Sequence, residues 1–447
     1  MEWLLHCGFL ITMCNDAFLR DYAVIIEDNR IVDVLPYGDA RRKYSGYEKL
    51  DASDSIVLPG LVNLHTHAAM SILRGYADDL PLHIWLKEKI WPLEALLTPQ
   101  DIYLGALLAA AESALMGTTV LNTMYHYMDS DLNEANAISK VGLRVVAGHV
   151  CFSWRKDEDK TRLDGMVKKW HGARDGLVRI SVDPHAPYTV DPEFLKELRY
   201  MTDDFNVKYS EKGHITYHIH VAETKDEPRQ IKEAFNVSLD RGVLSYLDSL
   251  GILKDDVVAA HCVWLTDEDV RVLANRGVSV AHNPVSNLKL ASGIAPVPKL
   301  LRAGVNVGLG TDSACSNNTL DMFETMKLAS LLHKGVNYEP TLLPAKTVLM
   351  MATVNGAKAL KWDSDIGTIE VGKKADMIAV RYKGRPHLSP IYDPISHLVY
   401  AARSLDVKHV LVNGKIIVED GKLKTVDLPA ILDKVAKVKE SLLSRLS

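Results

Sequence analysis

The sequence lacks the excess of basic residues that is typical of nucleic-acid-binding proteins. It also lacks the long apolar runs of membrane-spanning proteins. Its 52 lysine and arginine residues are outnumbered by 57 aspartate and glutamate residues, which gives a formal net charge of −5. Proteins that bind nucleic acid usually carry an excess of positive charge, so we expect no nucleic-acid partner. No uninterrupted apolar run reaches the roughly 20 residues of a membrane-spanning helix, so we expect no membrane partner either.

Cysteine is scarce, and its pattern argues against a disulfide framework. The chain has 5 cysteines, which are widely scattered and form no CxxC pair. An odd number of dispersed thiols is typical of a protein in a reducing compartment, so we expect a cytoplasmic protein. The sequence also contains no short-period repeat, low-complexity tract or long linker.

The two ends of the chain have the alternation and the turn signals of short β-strands. Residues 22–26 and 30–35 flank the turn-forming segment 27–29, and residues 409–412 and 415–418 flank Asn413-Gly414. Asn-Gly between two such runs is a strong hairpin signal. We therefore predict a small β-sandwich domain built from residues 1–56 and 366–447, with an amphipathic helix over Leu428–Leu446.

The middle of the chain alternates short apolar strands with helix-length segments. Asp101–Leu115 is a clear helix, with Thr98 as its N-cap and Pro99 in its first turn. The strand candidates are Val57–Leu64, Thr119–Met124, Arg144–Val150, Val178–Val182, Ile215–Ile219, Val257–Ala260, Val278–Ala281 and Val305–Gly310. Eight such units predict an α/β fold, a (β/α)8 TIM-type barrel over residues 57–365, with its chemistry at the carboxyl ends of the strands.

Side chains of the metal-binding type close several of these strands. His65 and His67 stand two residues apart, so in an extended chain both imidazoles project to the same side. Together with His220 from strand 5 and Asp312 from strand 8, they offer three nitrogens and one oxygen. This donor set suits one catalytic zinc ion, and iron(II) fits the same ligands. We therefore predict a metal-dependent hydrolase.

Two further observations refine this prediction. Glu223 lies three residues beyond His220, where a carboxylate can take a proton from the nucleophilic water and pass it to a ring nitrogen. Glu227, four residues further on, is interpreted as a surface residue. Strand 4 ends in Val182-Asp183-Pro184-His185 without the lysine that a carbamate-bridged pair of metals would need, so the site is predicted to be mononuclear.

These residues resemble the amidohydrolase superfamily, and more closely its 5'-methylthioadenosine/S-adenosylhomocysteine deaminase branch. The match extends from Pro59 to about Gly372 and includes a narrow His-Asn-Pro-x-Ser-Asn-Leu-Lys-Leu string at 282–290. The motifs that carry it are Pro59–His67, Trp91–Glu94, Pro184–Tyr188, His220–Thr224, Ala260–Val263, His282–Leu290, Gly310–Asp312 and Ser316–Asn318.

The resemblance implies a role for each site residue. It implies that His65, His67, His220 and Asp312 hold the metal, that Glu223 shuttles a proton and that His261 orients the hydroxide. Asp312 would also relay a proton to the departing ammonia. Substrate contacts would come from Glu94 at the ribose hydroxyls, from His185 in the pocket, and from Glu223 and Asp312.

The sequence departs from the family's pattern near strand 3, where the family often presents two arginines. His149 stands where the first is expected, and Arg162 matches the second, with Arg155 as an alternative. Histidine does not reproduce a bidentate arginine–carboxylate contact. S-Adenosylhomocysteine is therefore a weaker expectation than adenosine, 5'-deoxyadenosine or 5'-methylthioadenosine.

The predicted function is zinc-dependent hydrolytic deamination of an adenine nucleoside, a small-molecule substrate, to the inosine-type product and ammonia. One alternative is deamination of a free base such as guanine or cytosine, or hydrolysis of a triazine, on the same site. A remote alternative is a non-catalytic barrel scaffold. Barrels of this kind often form dimers or tetramers, so we also expect a homo-oligomer.

Overall fold

Two eight-stranded sheets organise the protein, and the computed structural model describes residues 2–14 and 18–446. The first four strands are β1 Glu2–Leu10, β2 Leu19–Glu27, β3 Arg30–Pro36 and β4 Glu48–Pro59. Then come β5 Leu61–Thr66, β6 Thr118–Tyr125, β7 Arg144–Cys151, β8 Val178–Pro184, β9 Thr216–Val221, β10 Val257–His261, β11 Ser279–His282 and β12 Asn306–Leu309. The last four are β13 Met377–Arg381, β14 Val407–Val412, β15 Lys415–Glu419 and β16 Lys422–Leu423.

Helices alternate with the middle strands and also occur at the C-terminus. Before β9 the α-helices are Tyr37–Lys43, Leu82–Ile84, Trp91–Glu94, Pro99–Leu115, Glu134–Val141, Lys156–Trp170, Ala173–Gly176 and Pro192–Lys208. After β9 they are Glu227–Phe235, Val243–Ser249, Asp267–Arg276, Pro284–Lys289, Val297–Arg302, Met322–Asn337, Ala345–Met351, Val354–Ala359, Pro394–Tyr400 and Leu428–Leu446. Short 3-10 helices span Ala68–Leu73, Ser153–Arg155, Ser210–Lys212, Pro386–Leu388 and Ser404–Asp406, and a π-helix spans Trp85–Ile90. Among the described residues, no helix combines the length and apolar character needed to cross a bilayer.

Strands β5 to β12 pair in parallel, each with its neighbours in chain order, and form a nearly closed barrel. Most of their residues are buried, because helices cover the outside of the sheet while side chains fill its interior. Beyond the last strand, side-chain bonds help to close the ring: the Asn63 amide donates to Thr311 Oγ1 at 2.7 Å, and Thr311 N donates to Asn63 Oδ1 at 3.1 Å. The predicted α/β barrel is confirmed.

The second sheet is mixed and contains strands from both ends of the chain, in the order β16-β15-β14-β13-β4-β1-β2-β3. Its centre is β4, which pairs in parallel with β1 and antiparallel with β13. The strand predicted at Val57–Leu64 is wrong at its start, because residues up to Pro59 continue β4. Gly60 separates the two sheets, and a Cβ there would lie 2.1 Å from Thr119 Oγ1. The domain limits at 56/57 and 365/366 stay predictions.

Several local predictions are confirmed. Thr98 caps the helix Pro99–Leu115 in a reciprocal capping box with Asp101. Strands β14 and β15 form the predicted hairpin around Asn413-Gly414. The C-terminal helix buries Val438 and Leu442 in one apolar cluster with Trp85. It thereby supports the segment between β5 and β6, which forms one wall of the site.

Candidate active site

The four residues predicted to hold a metal meet at the carboxyl end of the barrel. His67 Nε2 lies 3.2 Å from His220 Nε2 and 3.3 Å from Asp312 Oδ1, and His65 Nε2 lies 3.5 Å from the same carboxylate oxygen. His65 Nε2 is buried and has no hydrogen-bond partner in the described part of the chain. Burying a nitrogen without a hydrogen-bond partner has a free-energy cost, unless another group binds it in the space between these atoms.

Outer hydrogen bonds leave the inward nitrogens of the histidines free to act as ligands. His67 Nδ1 donates to the Met124 carbonyl oxygen at 2.8 Å, and His220 Nδ1 donates to the His185 carbonyl oxygen at 2.7 Å. Each bond fixes the tautomer in which Nε2 carries a lone pair, as metal-binding histidines require. Burial also lowers the pKa of His65 to about 4, which favours the neutral ring.

Asp312 is held by serine hydroxyls on its second oxygen. Ser286 and Ser316 donate to Oδ2 at 2.6 and 3.0 Å, while Ser313 N donates to Oδ1 at 2.7 Å. Burial raises the pKa of Asp312, but the close contacts of its Oδ1 with the His65 and His67 rings outweigh that effect and hold the pKa well below its usual range. Asp312 is therefore ionised, and one carboxylate grouped with three imidazoles is a donor set that suits a divalent metal such as zinc.

His261 and Glu223 lie beside this cluster at the ends of β10 and β9. His261 groups with His65 and His220, with ligand atoms within 4.8 Å of one another, and its Nδ1 donates to Asn287 Oδ1 at 2.8 Å. Its Nε2 lies 3.9 Å from Glu223 Oε2. Burial raises the pKa of Glu223, so this carboxyl is suited to accept and return a proton.

A cavity of about 400 Å³ opens above these residues. This is within the range of small-molecule sites. Glu94 lines one wall and accepts a hydrogen bond of 2.7 Å from the Tyr125 hydroxyl. His185 lines another wall, where its ring stacks on Phe152 at a centroid distance of 4.8 Å. Trp154 continues this aromatic stack at 4.5 Å from Phe152 and is 64% exposed at the mouth.

The structure does not bring all three strand 3 candidates to this cavity. Arg155 lines it, whereas Arg162 is absent from the lining and pairs instead with Glu158. His149 is fully buried, and its Nε2 lies 2.9 Å from Oδ1 of the buried Asp159. The same oxygen lies 3.3 Å from Arg155 Nε. His149 thus contacts Asp159 in the segment after β7 and does not reach the cavity. Arg155 is the cation that lines the cavity wall.

The interpretation of Glu227 as a surface residue is wrong. Glu227 is only 1% exposed, and its two carboxylate oxygens accept hydrogen bonds from Ala222 N at 2.8 Å and Glu223 N at 2.9 Å. Burial raises the pKa of Glu227 to about 8, while the two amides oppose that shift. The sequence does not indicate this burial, because Glu227 follows Lys225 and Asp226 and such a charged stretch is typical of an exposed turn.

Tyr125, Phe152 and Asp159 also went unrecognised in the sequence. Tyr125 and Phe152 stand at or just beyond the end of a barrel strand, and Asp159 lies in the first turn of the helix Lys156–Trp170. Each acts through a partner on another segment. The only available signal for Tyr125 was its position at the end of β6, one of the barrel strands. The amino-acid types of these three residues did not by themselves indicate a place in the site.

Comparisons with known proteins show what the whole chain is similar to. The sequence profile described as "Amidohydrolase family" matches residues 56–417. A 5'-deoxyadenosine deaminase from Methanosarcina barkeri is 44% identical over 445 residues, covering 98% of each chain. A 5-methylthioadenosine/S-adenosylhomocysteine deaminase from Desulforudis audaxviator is 42% identical over 445 residues, covering 99% of each.

Solved structures of other proteins also superpose on almost the whole chain. A zinc-bound adenosine deaminase from Xanthomonas campestris superposes with a TM-score of 0.90 at 35% identity, covering 99% of each chain. A zinc-bound atrazine chlorohydrolase from Arthrobacter aurescens superposes with a TM-score of 0.86 at 24% identity, covering 97% of this chain and 99% of that one. The second likeness concerns the fold alone.

Proposed function

The chain belongs to the amidohydrolase family, and from this premise we propose that it deaminates adenine nucleosides at C6 by hydrolysis. The products are the inosine-type nucleoside and ammonia. The observation that carries the proposal is that Glu223 and Glu94 line one cavity together with ligand-type residues such as His67 and Asp312. The relatives named as deaminases support it across almost the whole chain.

The cofactor we propose is one zinc ion held by His65, His67, His220 and Asp312, with iron(II) as the alternative metal. When bound, such an ion supplies the Lewis acidity that makes water a nucleophile at neutral pH. The orphaned His65 Nε2 and the fixed tautomers of His67 and His220 support this assignment. The zinc in the Xanthomonas adenosine deaminase supports it further.

The residues around the cluster then divide the proton transfers. His261 Nε2 hydrogen-bonds the attacking water and orients it toward C6. Glu223 takes one proton from that water and delivers it to N1 of the ring. Asp312 passes the second proton to the exocyclic nitrogen, the C6–N bond breaks, and ammonia leaves. The 3.9 Å separation of Glu223 Oε2 from His261 Nε2 supports this division of roles.

Substrate recognition comes from the cavity walls. Glu94 binds the ribose hydroxyls with the carboxylate that Tyr125 holds in place, and His185 contacts the purine from the adjacent wall. A buried acceptor built for two vicinal hydroxyls strongly disfavours substrates that lack them. This arrangement favours a nucleoside over a free base. Arg162 remains a predicted substrate contact, although the cavity lining does not include it.

At the 5' end we propose a preference for neutral and apolar substituents. Phe152 and Trp154 form an aromatic surface there, and the Arg155 guanidinium is already engaged. Its Nε lies 3.3 Å from Asp159 Oδ1 and its Nη2 donates to the Val150 carbonyl oxygen at 3.3 Å. A homocysteine carboxylate would compete with Asp159 for that cation. 5'-Deoxyadenosine and 5'-methylthioadenosine are therefore better substrates than S-adenosylhomocysteine.

The wider setting is also part of the proposal. We propose that the protein works in the cytoplasm, where Cys7, Cys14, Cys151, Cys262 and Cys315 stay reduced, as their free state supports. The absence of nucleic-acid and membrane partners and the homo-oligomer stay predictions.

The test is ammonia release and the ultraviolet change of adenine to hypoxanthine, measured with metal-loaded protein. Adenosine, 5'-deoxyadenosine, 5'-methylthioadenosine and S-adenosylhomocysteine are supplied separately, with adenine and guanine as free-base controls. We expect nucleoside turnover that a chelator abolishes, and a loss of about 10²–10⁴-fold in kcat for Glu223→Gln. Turnover of free bases without nucleosides, or no turnover at all, would overturn the proposal. A kcat/KM highest for S-adenosylhomocysteine would overturn only the 5' preference.

A further inference from the structure

Glu227 is a buried carboxylate that the proposed chemistry does not use. It begins the helix Glu227–Phe235, yet its side chain turns back beneath the end of β9. There both carboxylate oxygens are occupied by backbone amides, those of Ala222 and Glu223. Removing such a carboxylate from water has a substantial free-energy cost, so its burial needs a reason in the structure around it.

The backbone that Glu227 binds is held in an unusual conformation. Ala222 has a φ of 52°, in the left-handed region that alanine rarely adopts. Such conformations are unfavourable in free energy and persist only where surrounding contacts over-determine them. The hydrogen bond from Ala222 N to Glu227 Oε1 is one of these contacts. The turn at Ala222 is also what redirects the chain so that Glu223 reaches the cavity.

The same turn is tied to the end of the neighbouring strand. The Ala222 carbonyl oxygen accepts hydrogen bonds of 2.9 Å from Val263 N and from Trp264 N. That neighbouring segment includes His261, whose φ of 73° is also left-handed. The peptide unit that joins Ala222 to Glu223 thus donates its N–H to Glu227 and accepts hydrogen bonds from the loop after β10 at its carbonyl oxygen. This arrangement fixes the end of β9 relative to the end of β10.

The Glu223 side chain itself has few direct supports. In the described part of the chain, its carboxylate contacts Ser292 Oγ at 3.5 Å and His261 Nε2 at 3.9 Å, and both distances are long. Its position is therefore set mainly through its backbone, and the Glu223 amide is the second group that Glu227 binds. A displacement of about 1 Å at a reacting group can reduce turnover by about 10²-fold.

We propose that Glu227 is a positioning residue, whose carboxylate clamps the Ala222 and Glu223 amides and so holds Glu223 beside His261, where it can take a proton from the attacking water. The inference deepens the proposed function and rests on it for the role of Glu223. Glutamine at position 227 accepts from one amide but presents an NH2 group to the other. Aspartate keeps the two acceptor oxygens but is one methylene shorter, so it reaches the two amides less well.

The test compares Glu227→Gln and Glu227→Asp with wild type in the metal-loaded protein. We expect kcat to fall about 10- to 100-fold in Glu227→Gln and by less in Glu227→Asp, with KM for 5'-deoxyadenosine within about twofold of wild type. Metal content stays unchanged because Glu227 is no ligand. If Glu227→Gln does not fold, Glu227→Asp carries the same comparison.

Asp269 offers a matched control outside the cavity. It is also buried, and it also accepts two backbone amides, from Ser245 at 2.9 Å and Thr266 at 3.0 Å. Asp269→Asn therefore loses a comparable clamp, and we expect a lower Tm with kcat near wild type. Equal kcat losses in Asp269→Asn and Glu227→Gln, or wild-type kcat in Glu227→Gln, would overturn the proposal.

Crystal structures of wild type and Glu227→Gln separate this inference from the proposed function. We expect the separation of Glu223 Oε2 from His261 Nε2 to increase by about 1 Å in the variant, whichever substrate the enzyme uses. An unchanged separation would contradict the positioning role. Absence of nucleoside turnover in wild type would contradict the proposed function and leave the structural comparison decisive for Glu227.

Discussion

The Tyr125 hydroxyl donates a 2.7 Å hydrogen bond to Oε1 of Glu94, which joins the end of β6 to the segment that follows β5. Both side chains are buried in the cavity wall, and burial raises the pKa of Glu94. With Oε1 engaged by Tyr125, Oε2 remains free for the proposed substrate contact. The pair therefore sets the direction in which this carboxylate would face the proposed ribose.

We expect Tyr125→Phe to weaken ribonucleoside binding. A hydrogen bond to a charged group contributes about 1.5–3 kcal/mol, so KM for 5'-deoxyadenosine should rise about tenfold or more. Because Tyr125 does not contact C6, kcat should change little. Tyr246→Phe is the control, since the Tyr246 hydroxyl is buried without a described partner. An unchanged KM in Tyr125→Phe would show that Glu94 is oriented by other contacts.

Metal removal should lower both activity and thermal stability. A ligand that binds the folded state alone raises stability by mass action, so chelation should reduce the Tm of the purified protein. His67→Ala should bind far less zinc, as measured by elemental analysis. His333→Ala is the control, because His333 is a buried histidine that contacts His282 outside the cluster. Full zinc content in His67→Ala would contradict the ligand assignment.

Asp256 should make stability depend on acidity. Although burial raises the pKa of Asp256, hydrogen bonds from His214 and Arg199 outweigh it and lower the pKa from 3.8 to about 2. The folded protein thus binds fewer protons than the unfolded chain. The resulting stabilisation of about 2 kcal/mol is present above about pH 4 and is lost as pH falls through about 2.

Unfolding of Asp256→Asn at pH 6 and pH 3 measures this effect. We expect the difference from wild type to be larger at pH 6, because at pH 3 the wild-type carboxylate has lost part of its advantage. Asp203→Asn is the control, since Asp203 pairs with the same Arg199 but is partly exposed, and exposed pairs contribute little. A difference that does not change with pH would contradict the assignment.

Arg144 should be important for stability because it joins the two sheets. Its Nε and Nη2 donate to the Asp376 carboxylate at 2.6 and 2.9 Å, and both residues are buried. Removing one member of a buried ion pair costs about 3–5 kcal/mol, so we expect Arg144→Met to lose this much in urea unfolding. Arg144→Met with Asp376→Leu should lose less. Equal losses in the single and double variants would indicate that packing dominates.

The sequence predicted well that His65, His67, His220 and Asp312 come together, because the signal for each of them is local. An apolar strand that ends in histidine or aspartate is visible within ten residues, and the barrel brings such ends together, as His65 and Asp312 illustrate. The supporting contacts could not be predicted in this way. Glu227 turns back onto its own loop, and Arg155 reaches the cavity although Arg162 gave the better alignment. Such contacts depend on loop conformation, which apolar periodicity does not encode.

The start of the first barrel strand was misjudged for a related reason. Val57 and Leu58 continue the apolar run that leads into β5, so hydrophobicity alone gives no boundary. The boundary is set by Gly60, where the close approach of Thr119 leaves no room for a side chain. That constraint exists only once β6 is in place.

The position of β4 has a consequence for the order in which the protein is made. Residues 55–59 pair with residues 377–381, so this edge of an apolar central strand lacks its partner until the ribosome has completed the entire barrel. An unpaired strand edge invites association with other chains. We therefore expect nascent chains that stop before β13 to aggregate or to recruit chaperones, whereas chains released after β14 escape both outcomes.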